Sequence, residues 1–474
     1  MKLSRKIYLI ASIIFVLFVG FILTAPDAIF EANKDLPKPN NLWNNIKHNK
    51  KVVVLMQNNS TGYFIYRGQT QGIHYEMIKQ YCDDRGFDLQ IVVEDDLNQA
   101  IKKIHNHKAD ILAVDYTYTK PRSKIVNFTI AHAYTRQVLV QRQKTRKTPK
   151  KFATDVLDLE GKVVFVEKGT TYKKQLEYLQ EQTGATFKII EDLNHSTEEL
   201  VALVASGKID YTVCDKRVAM VNKSYQRNID YSLQLSPRQK LCWAVPPSED
   251  SLRDDINIWL SDFRKTKRYK KLERKYFATK RLNYLADNKY IPSKGDGLSP
   301  YDDLIKKYSM QINWDWRLLA ALIYQESHFK TNVVSAWSGA LGLMQLMPET
   351  ARRVGGRNLL TAEGNIKAGV RYLKSLDNQF NGLLKDNNDK LKFILASYNS
   401  GPGHVIDARR LAEKYNLNPD VWDNSVEKYM ILKEKPKYYQ DAVVKHGYFY
   451  GRQSCDFVKE IFERYRNYSN LVSL

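Results

Sequence analysis

The sequence predicts a multidomain protein: an apolar N-terminal helix, an α/β domain built on a largely parallel sheet, and a C-terminal domain organised around a buried helix. Three observations carry this. Ile7 to Ala25 contains no charged residue and is long enough to cross a bilayer. From Lys51 to about Lys280, short β-rich runs alternate with amphipathic stretches of helix length. Beyond that, Leu319, Leu322, Ile323 and Glu326 fall at i, i+3, i+4 and i+7, so one helix face carries three aliphatics and then a carboxylate. A chain of 474 residues is also too long for one ordinary core.

Taken in order, Lys2, Arg5 and Lys6 flank the apolar run and would keep the N-terminus cytoplasmic. A signal peptide is the alternative, with a poor cleavage region at Leu23-Thr24-Ala25-Pro26. No cysteine lies nearby, which excludes a lipoprotein anchor. Residues 1–27 are therefore expected to be a membrane anchor or signal segment, and 28–49, with Pro37 and Pro39, a linker. Either way the remainder is expected outside the cytoplasm, on the periplasmic side of the envelope: tethered to the inner membrane, or peripheral at the outer membrane if the segment is removed.

The net charge of +22 calls for an anionic partner, and 43% hydrophobic residues support globular folding. No nucleic-acid motif is present, and the lysines are spread along the chain. Cys82, Cys214, Cys242 and Cys455 lack metal-ligand spacing, and no cofactor is implied. They read as small buried residues, with a disulfide left open.

In residues 50–280 the strands are expected at Val52–Leu55, Ile91–Val93, Ile111–Val114 and Val163–Val166, with Val138–Val140 and Leu241–Val245 crossing between two lobes. Ala109-Asp110-Ile111-Leu112 leads to Thr117, Thr119 and Arg122; Val166-Glu167-Lys168-Gly169-Thr170-Thr171 and Asp210-Tyr211-Thr212-Val213-Cys214-Asp215 follow. With these the segment resembles the periplasmic amino-acid-binding proteins (solute-binding family 3), a two-lobed fold with its ligand in the cleft. The resemblance implies Arg122 for a ligand carboxylate, Asp215 for an ammonium, and Thr117 and Thr170 beside them. Tyr63 and Phe64 are either pocket walls or core. Asp115 departs from the family's small residue and would add negative charge.

A polar stretch, residues 281–298, leads to the second domain, residues 299–470. There Glu326-Ser327, Gly342-Leu343-Met344-Gln345 and Ala396-Ser397-Tyr398-Asn399 occur in that order. They resemble the lytic transglycosylases, peptidoglycan-cleaving enzymes with an all-α, lysozyme-like domain. The two-part layout resembles the membrane-bound lytic murein transglycosylase F family.

That resemblance implies Glu326 as the single catalytic carboxylate, cutting the MurNAc–GlcNAc bond with closure to a 1,6-anhydro sugar. No water, metal or cofactor enters. Ser327, Met344, Gln345, Tyr398 and Asn399 are implied as substrate-binding residues. Tyr324, Phe329 and Trp337 are either sugar-stacking rings or core. Phe457-Val458 stands where the family has a tyrosine-valine pair, which leaves Tyr448, Tyr450 or Tyr398 to supply the hydroxyl. Glycan strands, an amino acid or muropeptide in the module, and the membrane are the expected partners. A hydrolytic lysozyme-like muramidase, and a binding protein without catalysis, are the alternatives.

Overall fold

β-branched runs of the N-terminal half assemble into two five-stranded sheets, one per lobe. The computed structural model describes residues 42–66, 68–144, 152–277, 297–335 and 339–474, apart from the side chains of 224 and 225. The apolar run 7–25, the linker before residue 42, most of 281–298, and Trp337 lie outside the described residues. Among those described, no helix is long and apolar enough to cross a membrane.

The first lobe opens with α1 (Leu42–Asn49) and β1 (Lys51–Met56), then a short hairpin, β2 (Phe64–Tyr66) and β3 (Gln69–Gln71). Next come α2 (Ile73–Arg85), β4 (Asp88–Val93), α3 (Leu97–His105), β5 (Ile111–Thr117) and β6 (Asn127–Thr135). The second lobe holds β7 (Gln137–Arg142), β8 (Val163–Glu167), α4 (Tyr172–Thr183), β9 (Lys188–Asp192), α5 (Thr197–Ser206), β10 (Tyr211–Asp215), α6 (Lys216–Tyr225) and β11 (Ile229–Asp230). The chain then returns to the first lobe with β12 (Gln239–Val245), α7 (Asp250–Phe263) and α8 (Lys267–Phe277).

Strand orders are β4-β1-β5-β12-β6 and β11-β7-β10-β8-β9. β1 runs parallel to β4 and β5, and β8 to β9 and β10, whereas β12 and β7 are antiparallel. Of the parallel strands, β1, β5 and β10 are buried over most of their length, while β4, β8 and β9 are partly exposed. The lobes join between Thr135 and Gln137 and again before Gln239. Gln137 fastens that joint, its amide donating to Thr171 Oγ1 at 2.8 Å and Gln239 Oε1 at 3.3 Å.

The C-terminal domain is helical: α9 (Asp302–Ser309), α10 (Trp316–Ser327), α11 (Pro348–Arg353), α12 (Ala362–Phe380), α13 (Asn387–Ser400), α14 (Pro402–Lys414), α15 (Glu427–Leu432), α16 (Pro436–Tyr439) and α17 (Gly451–Leu471). Asp315 caps α10 by accepting from the Arg317 amide at 2.9 Å. Leu318 through Tyr324 are all buried, so α10 is the central helix of this core rather than a surface amphipathic one. Its end is set by His328 and Phe329, both in the left-handed region (φ 52 and 60).

The two halves meet along α17. Tyr63 donates to Asn467 Oδ1 at 2.6 Å, Tyr468 donates to the Gly68 carbonyl at 2.5 Å, and Asn470 donates to the Ile91 carbonyl at 3.2 Å. Gly68, at φ 73, lies against the rings of Tyr324 and Phe329 with no room for a Cβ. These contacts decide several open readings. Tyr63 and Phe64 are buried core at the seam, not pocket walls. Tyr324 and Phe329 are buried against the module's hairpin, so they are not exposed sugar platforms. All four cysteines are free and buried.

Candidate functional site

The last turn of α10 carries Glu326 to the edge of the helical core. Its residue surface is partly accessible while the carboxyl itself is surrounded by protein, and burial pushes its pKa up to about 8. Among the described residues the carboxylate has no hydrogen bond and no ion pair. Desolvation alone therefore sets its protonation.

A buried amide anchors the loop before α11 beside this acid. Asn365, on the core face of α12, accepts from the Met344 amide at 2.8 Å and donates to the carbonyls of Leu341 (2.9 Å) and Leu359 (3.0 Å). Gly342, at φ 74, lies so close to Asn365 that no side chain fits. The Met344 side chain is buried, its sulfur against Gly369. Tyr398, near the end of α13, donates to the Met344 carbonyl at 2.6 Å. Burial, with the Glu326 charge adding to it, holds the Tyr398 hydroxyl in its neutral form. Asn399 is exposed, and its Oδ1 accepts from Ser454 on α17 at 2.5 Å.

In the module, Arg122 follows β5 of the first lobe and Asp215 ends β10 of the second, close enough for each charge to act on the other. The Arg122 guanidinium stacks 4.2 Å over the Tyr116 ring and donates to the carbonyls of Thr117 (3.2 Å) and Gly169 (3.4 Å). Asp215 is buried at the head of α6 without capping it, and its Oδ1 has no hydrogen bond. Burial raises it to about 7, the Asp115 charge adding while Arg217, Tyr172 and Arg122 pull back. The lobes touch directly: the Ser60 amide donates to Glu198 at 3.1 Å, and the Ser60 hydroxyl also bonds that carboxylate.

Comparison with known proteins matches both halves. A family model described as bacterial extracellular solute-binding proteins, family 3, covers residues 51–279, and the transglycosylase SLT domain covers residues 303–420. The membrane-bound lytic murein transglycosylase F of Desulfosudis oleivorans is 31% identical over 425 residues, 90% of this chain and 91% of that one. That of Pseudomonas fluorescens Pf0-1 is 31% identical over 433 residues, covering 90% and 86%. The chain belongs to the membrane-bound lytic murein transglycosylase F family.

For a member of this family, the expected site residues divide. Glu326, Met344 and Tyr398 come together, but Met344 contributes its backbone carbonyl rather than its side chain. Ser327 is buried with its hydroxyl on the Ile323 carbonyl at 3.2 Å, a bond within its own helix that removes it from any sugar. Gln345 donates to the carbonyls of Val333 (3.1 Å) and Gly342 (2.8 Å), so its NH2 group braces the loop and leaves only Oε1 for a ligand. Thr170 likewise donates to the Glu167 carbonyl at 2.7 Å. Thr117 is buried and offers Arg122 its carbonyl. Phe457 is buried on α17, while Tyr448 and Tyr450 are exposed and neither bonds Glu326.

Sequence reasoning missed Asn365, Ser454 and a buried charge cluster behind the Gly401-Pro402-Gly403 turn. There Asp407 accepts from Lys433 (3.0 Å) and from the amides of Lys445 (3.0 Å) and His446 (2.8 Å). An amide amid the apolar face of α12, four residues before Gly369, is the signal that marks Asn365.

His74, Asp115 and His132 bring three buried, unbonded ligand atoms within 4.8 Å of one another. Their fit to a metal is poor. Trp243 Nε1 donates to His74 Nδ1 at 3.0 Å, and an indole N–H only donates. Neutral His74 then carries its proton on Nε2, the atom a metal needs bare, 3.2 Å from Asp115. Asp115 thus faces His74 instead of adding free charge to the cleft. Burial works to raise its pKa, but His74, Arg217 and His132 hold it well below the usual range.

Proposed function

We propose that the C-terminal domain cleaves the MurNAc–GlcNAc β-1,4 bond of peptidoglycan without water, with Glu326 as its only acid and base. The observation that supports this is a carboxyl with no hydrogen bond or ion pair among the described residues, its pKa raised to about 8 by burial. A second carboxylate, which ordinary glycosidases need, is missing from the described surroundings. The acid next in sequence, Glu349, is exposed in the first turn of α11 behind Pro348.

Glu326 gives its proton to the glycosidic oxygen as the C1–O bond breaks and the substrate's acetamido oxygen bonds C1. The glutamate, now ionised, takes the proton of the C6 hydroxyl. O6 bonds C1, the acetamido oxygen leaves, and Glu326 is protonated again. Nothing else is consumed. Tyr398 and the Met344 carbonyl hold the wall of the groove, and the exposed Asn399 amide hydrogen-bonds the sugar.

In the module, Arg122 takes the carboxylate and Asp215 the ammonium of an amino acid or a wall-derived muropeptide, regulating the enzyme. Residues 7–25 tether the protein to the membrane. The direct test is Glu326→Gln. Wall solubilisation by the variant is expected to be undetectable while its melting temperature is unchanged or higher. Retained solubilisation refutes Glu326 as the acid.

A further inference from the structure

The helix that closes the module, α8, has an exposed face of a single charge. Leu272 and Tyr276 are buried on one side, and Tyr269 there donates to the His132 carbonyl at 3.1 Å. On the same side Glu273 pairs with Arg217 at 3.2 Å. The opposite arc, about 160° wide at the helical repeat, carries Lys267, Arg268, Lys270, Lys271 and Arg274, all exposed. Lys275 falls within the same arc but is half-buried and pairs with Glu76, and Lys265, before the helix, pairs with Asp262 at 3.0 Å. The five exposed cations of the arc have no carboxylate partner among the described residues. Like charges at i, i+3 and i+4 repel, so this face is unfavourable by itself and is relieved by an anionic surface.

We propose that this face of α8 lies on a bilayer carrying anionic phospholipid headgroups. From Lys267 to Arg274 the face is about 11 Å long. Its apolar side is committed to the core, so contact is electrostatic, without insertion. The first described helix lies one helix away. α1 packs on α7, which runs into α8 through residues 264–266. Residues 26–41, between the apolar run and α1, reach at most about 55 Å. The proposal takes this nearness from the anchoring of residues 7–25, so the experiment separates the two.

The test labels the full-length protein with a fluorescent donor at Lys265→Cys, which is selective because the native cysteines are buried. Energy transfer to an acceptor lipid is read on phosphatidylcholine vesicles and on vesicles containing phosphatidylglycerol. The expected result is transfer about twofold higher on the anionic vesicles at about 50 mM salt, falling to the neutral-vesicle value by about 500 mM. Changing Lys267, Arg268, Lys270, Lys271 and Arg274 to Gln abolishes the excess, while changing exposed Lys367, Lys374 and Lys385 preserves it. Equal transfer on both vesicles, an excess that survives in the five-fold variant, or charge-dependent binding to isolated sacculi with none to vesicles overturns the proposal. Failure of the anchor reads differently, as loss of the signal on neutral vesicles.

Discussion

Glu326 holds its proton because the folded protein makes ionisation costly, and that cost has a sign that can be measured. Its pKa rises from 4.5 to about 8 on folding. Between those values the folded state keeps a proton that the unfolded chain has lost, so stability falls as pH rises through the window. Glu326→Gln removes this dependence. Thermal melts are expected to show little difference between the two proteins near pH 5 and a gain of about 1–3 kcal/mol for the variant near pH 8. The rate of wall solubilisation by the native enzyme is expected to decline above about pH 8, as the acid form is lost. Asp215, raised to about 7, behaves oppositely towards a ligand. An ammonium selects the ionised carboxylate, so affinity for an amino acid is expected to rise with pH up to about 7 and then level. Calorimetry in buffers of different ionisation enthalpy reads the released proton. Glu326 was legible because a carboxylate ends an apolar stripe. The placement of Ser327 was not: a serine in a helix bonds the carbonyl four residues back or faces outward with no change in pattern.

At the scale of elements, the loop beside Glu326 depends on the Asn365 amide together with Gln345 and Tyr398. Asn365→Ala leaves the Met344 amide and the Leu359 carbonyl without their partner in the core, while the Leu341 carbonyl keeps the Leu346 amide at 3.1 Å. The substitution is expected to cost about 2–4 kcal/mol in denaturant unfolding, with a lower rate of wall release. Of the parallel strands, β1, β4, β5 and β8 were legible as short β-rich runs, whereas β9 and β10 carry polar residues among their apolar ones and were not read as strands. α10 announced itself by its stripe, although it is buried on every side. The β2–β3 hairpin gave no hint of its task, since its use lies in what Gly68 touches. A larger side chain there must displace Tyr324 or Phe329 and adopt a left-handed backbone. Gly68→Val is therefore expected to lower the melting temperature and the rate of wall release together, measured on the same preparation.

Across the whole molecule, each half was readable because each has its own hydrophobic period and its own ordered motifs. Their mutual seam was not, because Tyr63–Asn467 and Gly68–Tyr468 join residues distant in sequence that carry no local signature. The seam makes α17 common to both halves, packed on α10 and bonded to the module. The expectation that the lysines are spread along the chain misses a run in the sequence itself: Lys267, Arg268, Lys270, Lys271 and Arg274 fall within eight residues, and α8 sets them on one face. The account as a whole depends on the chemistry at Glu326 proceeding without water. The most direct measurement is the mass of the soluble wall fragments released in water enriched in the heavy oxygen isotope. The account predicts ends closed as 1,6-anhydro sugars, one water lighter than a hydrolysed end and free of the heavy isotope. Reducing ends that carry it contradict the account.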